Sequence, residues 1–415
     1  MTARRAASVA FALAFGLPLQ AQEVRERVDA TLSLRGDIWS GTRQLDDKGP
    51  LARTSAWGRA KVDLGQAGTA VADGWVGTQS VDASRVRQAQ VRELYWRAAS
   101  GRLDWKVGRQ IIVWGRADGL NPTDNLSPRD FTLLVPEDNE QRRGNEAIQL
   151  NIDAGFGVLS GLWFPRAASH KLPMEAREGV VLASAAPPHR RQWAIKLDMT
   201  GDGIDGSVSY LHGVDPVPDL SIGAVGPAGL QLAMRNNPLR VLGADLSLTR
   251  RGVVWRAEAA WMRTDSAGSD DFTRKKPRLW LVGGAEWTLK GNTTLGLQAS
   301  LQHVMNFRTP DSLASPLQQE VAWRQAALAN QTSATQLGAT WRLASRWLND
   351  TLLAETSGVV MGSPRSGIWR TKLAYAINDH LKLQAGTESF FGPAHSLWGQ
   401  FSKNRLAYAQ LRYGW

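Results

Sequence analysis

Six histidines are the side chains best placed for acid–base or nucleophilic chemistry near neutral pH: His170, His189, His212, His303, His380 and His395. None lies in a Ser-centred nucleophile elbow or at a metal-binding spacing. No phosphate-binding glycine loop or dinucleotide fingerprint is present. Cysteine is absent, so neither disulfides nor thiolate metal sites are available. Asp118, Asp124 and Asp130 lack the alternate-position spacing of an EF-hand. No catalytic residue, cofactor or metal is therefore assigned, and the chain reads as a non-enzyme. A Ser–His pair that meets only in space would leave a lipid hydrolase as the least favoured alternative.

Charge is the other chemistry on offer, and it concentrates between Gly108 and Gly144. Arg109, Arg116, Asp118, Asp124, Arg129 and Asp130 supply charge of both signs, among Gly and Pro at turn positions and apolar Ile111, Ile112, Val113, Leu133, Leu134 and Val135. A connection this long in a compact fold is usually functional or disordered. Its apolar content and turn residues argue for order. The expectation is an inward-folded loop held by ion pairs around a polar eyelet, with Arg59, Lys61, Glu93 and Lys106 as wall partners. The alternative is an external lid packed on neighbouring loops.

Such a loop needs walls, and the rest of the chain supplies them. Val28, Ala30, Leu32, Leu34 and Ile38 alternate with Asp29, Thr31, Ser33, Arg35 and Asp37. The same two-residue period recurs near 52–64, 190–200, 277–290, 334–344 and 365–377. One parity suits lipid and the other water. Gly, Asn and Asp mark short turns at 65–68, 100–101, 154–155, 201–203, 251–252, 291–292, 349–350 and 378–379. Longer polar connections fall between them near 40–51, 81–87, 113–144, 165–189, 214–237, 265–276, 307–333, 362–365 and 392–403. This rhythm predicts an all-β, antiparallel transmembrane barrel of about eighteen strands, with short periplasmic turns and long external loops. The segment 113–144 is then the third external loop.

Both termini fit. The last strand, AYAQLRYGW, ends on Trp415 and would pair with the first, leaving no edge. It is also the segment expected to engage the barrel-assembly machinery. Residues 1–21 read as a cleaved signal peptide, with Arg4 and Arg5 before an apolar Ala10–Leu19 and a cleavage site before Gln22. Residues 22–415 are the barrel. Among 18 tryptophans, Trp39, Trp75, Trp96, Trp105, Trp163, Trp261, Trp369, Trp398 and Trp415 are expected at the membrane–water boundary.

The run GRQIIVWGRADGLNPTDNLSPRDF, residues 108–131, resembles the signature of a proteobacterial family of outer-membrane barrels of unassigned function, loosely akin to alginate-export and substrate-specific porins. The rest of the chain matches that family only in its barrel pattern. The resemblance implies an outer-membrane transport channel. It brings no binding residue with it.

The formal charge of +11 comes from Lys and Arg spread along the chain, with no basic helix, so nucleic acid is not an expected partner. The inward parity carries Arg35, Arg53, Arg342, Arg370 and Lys372 against Asp37, Asp73, Glu258, Glu355 and Glu388. Near-balance argues for a paired wall with at most a modest anion preference. The expected function is a porin-like channel for small polar solutes, anions among them. A carrier of hydrophobic compounds or lipids is the alternative. The expected setting is the outer membrane of a Gram-negative cell, among lipid and lipopolysaccharide, as a monomer or trimer.

Overall fold

The computed structural model describes residues 27–41, 50–81, 84–174, 179–184, 191–227, 229–266 and 268–415. The expected signal peptide, residues 1–21, lies outside the described residues, as does His189. Eighteen strands form one sheet that closes on itself. In chain order they begin β1 (Val28–Gly41), β2 (Leu51–Asp63), β3 (Thr69–Val81), β4 (Ser84–Ser100), β5 (Leu103–Gln110), β6 (Asn145–Asp153) and β7 (Val158–Phe164). After β8 (Val180–Ser184), which stands outside the barrel, come β9 (Gln192–Thr200) and β10 (Ile204–Val214). After β11 (Asp219–Gly226) and β12 (Gly229–Arg235), also outside, come β13 (Pro238–Arg250), β14 (Val253–Thr264), β15 (Arg278–Leu289) and β16 (Thr293–Val304). The ring is completed by β17 (Thr335–Trp347), β18 (Leu352–Met361), β19 (Ser366–Ala376), β20 (Leu381–Phe391) and β21 (Leu406–Gly414). Barrel neighbours are antiparallel, and β1 pairs with β21 from Ser33 opposite Gly414 to Gly41 opposite Leu406. The strand expected to remove the edge at the C-terminus does so.

The barrel is inside-out relative to a water-soluble fold. On β1, Leu34 and Ile38 are 48% and 49% exposed, while Arg35 and Asp37 between them are 6% and 7% exposed. Alternation therefore turns the apolar parity outward and the charged parity inward. All eight expected short turns join strands at one end. The Arg251–Gly252 turn has positive φ at both positions (51° and 77°), the backbone of a two-residue hairpin whose twist matches its strands. Exposed aromatics form two belts. Trp163, Trp193, Trp261 and Trp369 stand toward the long-loop end; Trp96, Trp105, Trp255, Trp347 and Tyr413 toward the short-turn end. Their two-ended chemistry suits the membrane boundary.

Four sequence expectations need correction. Trp39 and Trp75 are 4% and 7% exposed and face inward, where Trp39 stacks on Tyr408 and Trp75 on Trp57. Trp398 lies in the last external loop, against Phe390. The connection expected at 81–87 is short, because β3 runs to Val81 and β4 starts at Ser84. Beyond the bilayer both faces of a strand meet water, so alternation fades before the hydrogen-bond ladder ends.

The other long connections are not plain loops. β8 pairs parallel to β12, and β12 pairs antiparallel to β11, giving a three-stranded sheet from the fourth and fifth external loops. Helix α1 (Pro316–Ala329), from the seventh, packs Val321 against its Leu220 and Leu232. Asn330 closes the helix in the left-handed conformation.

Candidate functional site

The third external loop, residues 111–144, joins β5 to β6 and folds into the barrel. Two apolar seams draw it there. Ile112, Trp114 and Leu126 pack on an inward patch formed by Leu162, Phe164, Leu211, Val241, Ala260 and Met262 of β7, β10, β13 and β14. Leu133 and Val135 pack on Trp57 and Trp75 of β2 and β3. Each seam removes apolar surface from water on both the loop and the wall, at ~25 cal/mol per Å².

Polar contacts then fix its course. At the first bend the Glu258 carboxylate, 3% exposed on β14, accepts the Arg116 and Ala117 N–H groups at 2.5 Å each and the Thr123 hydroxyl at 3.1 Å. Arg116 reaches Asp198 of β9 at 2.6 Å and also pairs with Asp245 of β13. Gly115 has φ 88°, and a Cβ there would lie 2.3 Å from Asn121 Oδ1 and 2.5 Å from Glu258 Oε1. Only glycine fits this bend. Within the loop Asp124 binds Arg142 through both oxygens, at 2.5 and 3.1 Å, with Arg129 at 3.5 Å. At the near wall a bulge between Asp73 and Gly74 leaves Arg92 without a register partner, so consecutive Arg92 and Glu93 both serve the loop. Arg92 donates to the Asn139 and Arg142 carbonyls, and Glu93 accepts the Ile111 N–H at 3.0 Å.

The loop also touches the far wall at two places. Asp118 pairs with Arg256 of β14 at 2.8 Å, and a Cβ added at Gly119 would lie 3.3 Å from Thr340 of β17. Further on, Glu137 pairs with Lys372 at 3.2 Å and Asp138 with Arg370 at 2.6 Å, both on β19. Glu140 reaches Arg35 of β1 at 2.8 Å. A cavity of about 1420 Å³ remains between the loop and the β14–β21 wall. Arg129, Lys171, Arg256, Lys275, Arg278, Arg342, Arg370 and Lys372 line it, against an equal number of acids: Asp118, Asp124, Glu137, Asp138, Asp215, Glu286, Glu355 and Glu388. Seven of these cations have a carboxylate partner. Arg278 makes no ion pair among the described residues; it donates to Gln302 Oε1 and the Ala329 carbonyl and lies 5.1 Å from the Trp280 ring.

The ten residues singled out from sequence fall into separate groups. Asp118, Asp124 and Arg129 line the cavity. Arg116 and Asp130 fix the loop, Asp130 through Lys171 at 3.2 Å. Arg59 and Glu93 pair at 3.4 Å on the inward faces of β2 and β4, with Lys61 on the same parity as Arg59. Lys106 sits 4.0 Å from the Tyr95 ring. Arg109 stands apart: Leu103, Trp105 and Val107 set its parity outward, and it pairs with Glu146 at 3.3 Å. Its position in the sequence run suggested the loop, but it belongs to the end of β5. Glu137, Asp138 and Glu140 were not singled out, nor were Arg35, Arg370 and Lys372 as lumen partners of the loop. Acids spaced along one short turn opposite inward-facing bases were the available signal.

The histidines are dispersed. His170 of the fourth external loop accepts the Arg129 N–H at 2.8 Å, and burial, with the Arg129 and Lys275 charges, lowers its pKa to about 3. His395 meets Glu320, and His303 meets Thr335. No serine–histidine hydrogen bond occurs among the described residues, so the hydrolase alternative gains no support.

No family model and no curated protein matches the chain. Solved structures do. OccK9 (OpdG) of Pseudomonas aeruginosa is 11% identical, with a TM-score of 0.58 over 94% of this chain and 98% of that one. OccK5 (OpdH) of the same organism is 11% identical, with a TM-score of 0.55 over 94% and 98%. OccAB2 of Acinetobacter baumannii is 9% identical, with a TM-score of 0.55 over 94% and 98%. The chain has the fold of the Occ barrels. At this identity the likeness is one of architecture, and the side chains of the loop and cavity have to be read on their own.

Proposed function

We propose that the chain is an outer-membrane channel for small polar solutes, narrowed by the third external loop. The observation that carries this is the lumen itself: a wetted, charge-lined cavity left open between the inward loop and the β14–β21 wall. The fold it shares with the Occ porins supports the same reading. The passage runs between two latches, Asp118–Arg256 on one side and Glu137–Lys372 with Asp138–Arg370 on the other, with Arg342 and Glu355 on the wall between them. Of the residues singled out from sequence, Asp118, Asp124 and Arg129 border this constriction, and Arg116, Asp130 and Glu93 hold it in place.

Paired charges make a passage that is polar without a strong sign. The carboxylate-free Arg278 tips it toward anions. Liposomes carrying the protein swell in small neutral and anionic solutes faster than in cationic ones, and Arg278→Gln reduces the anion advantage. Absence of swelling with any small solute removes the channel reading.

A second reading, passage of hydrophobic compounds, draws on the aromatic side of the same cavity: Trp39, Tyr408, Phe390, Trp398 and Phe401 all line it. Block of ionic current by an apolar aromatic, but not by a polar solute of equal size, would favour it. Export by a cleaved signal peptide, and insertion by the barrel-assembly machinery through the strand ending at Trp415, complete the proposal.

A further inference from the structure

The outward face holds an arrangement that the channel does not use. At the long-loop rim the register places Trp193 opposite His212, His212 opposite Arg240, and Arg240 opposite Arg263. All lie on the lipid-facing parity, since Leu242 and Trp261, one step deeper on β13 and β14, are 47% and 43% exposed. Arg240 and Arg263 are themselves exposed. Opposed residues on neighbouring strands have Cβ atoms ~5 Å apart, and like charges in that position repel. Neither arginine has a carboxylate within ion-pair distance among the described residues. Arg109, outward-facing at the same rim, is neutralised by Glu146 at 3.3 Å.

Depth gives this repulsion a meaning. Exposed indoles mark the boundary of the apolar layer. Arg263 lies one strand step, ~7 Å, beyond Trp261, which places the guanidinium pair at the level of lipid headgroups. Below the pair runs an apolar strip of Leu242 and Leu246 on β13, with Trp261 and Trp255 on β14, long enough to carry acyl chains. Beside it the His212 ring lies flat on Trp193, 5.8 Å between centroids at 11°.

We propose that Arg240 and Arg263 together grip a phosphate of an anionic outer-leaflet glycolipid whose acyl chains lie on that strip. Two planar guanidinium forks converging on one phosphate exchange a like-charge repulsion for charge-assisted, bidentate hydrogen bonds. The site is independent of the channel and would stand if the barrel conducted nothing.

Native mass spectrometry of the purified full-length barrel in detergent tests this, with added bisphosphorylated lipid A, its dephosphorylated form, or inorganic phosphate. The wild type retains the phosphorylated lipid, and the dephosphorylated form and free phosphate fail to compete. The Arg240→Gln, Arg263→Gln double variant binds on the order of tenfold more weakly. The Arg240→Lys, Arg263→Lys variant keeps the charge but loses the forks, so its affinity falls between those of the wild type and the glutamine variant; heat-modifiable gel mobility shows that both variants fold. Equal retention of the dephosphorylated lipid, unchanged binding by the glutamine variant, or free phosphate competing as strongly as the lipid would each overturn the assignment.

Discussion

At the scale of single residues, Glu258 is the side chain on which the loop's path depends most. It takes three backbone N–H groups and a hydroxyl at the one bend where Gly115 leaves no room for anything larger. Truncation by Glu258→Ala leaves those buried donors unpaired, at about 1–3 kcal/mol. The expected outcome is a loop that samples undocked positions, seen as added open-channel noise and faster proteolysis between residues 111 and 144. His170 adds a pH dependence. Its folded pKa of about 3 lies below the ordinary 6.5. Its neutral ring is held without cost above pH 6.5. As pH falls from there toward 3, the undocked form takes up a proton that the docked form refuses, so docking weakens. The protection factor of the Arg129 amide, corrected for the intrinsic exchange rate at each pH, should fall over that window, and His170→Gln should flatten the fall. Neither residue was legible in the sequence as an anchor. Glu258 looked like one more acid on the wetted parity, and His170 like an isolated histidine in a polar connection, because their partners lie far away along the chain.

At the scale of elements, the strands and short turns could be read from the chain because each is dictated by local periodicity. The inward loop was readable only in part. Its apolar residues argued for a packed segment, while the surface they pack on was hidden by the assumption that the inward parity is polar throughout. Leu162 and Phe164 on β7, Leu211 on β10, Val241 on β13 and Met262 on β14 break that rule near the long-loop end, where the inward parity turns apolar. Loss of alternation on neighbouring strands is the sequence trace of something covering the inner wall. Leu126→Ala should cost about 2–5 kcal/mol of loop docking. The barrel itself should keep its melting temperature, because the hydrogen-bonded ring does not depend on that seam. A melting temperature that falls in step with docking would show that the two are one cooperative unit. The small sheet β8–β11–β12 and helix α1 were unreadable for a related reason: their apolar residues meet only across three different loops.

At the scale of the whole molecule, the closed ring with its greasy exterior explains why a chain of mean hydropathy −0.28 belongs in a bilayer. Half of each strand faces lipid and half faces water, so the average conceals both. What the ring encloses is set by the third external loop, which bridges the lumen and leaves a passage along one wall. Single-channel recording in planar bilayers, comparing the wild type with a variant lacking residues 113–143, tests this most directly. The wild type should give discrete small steps and the shortened barrel steps several-fold larger, about in proportion to the lumen area released. Steps of equal size in the two, or no conduction from either, would contradict a loop-narrowed channel.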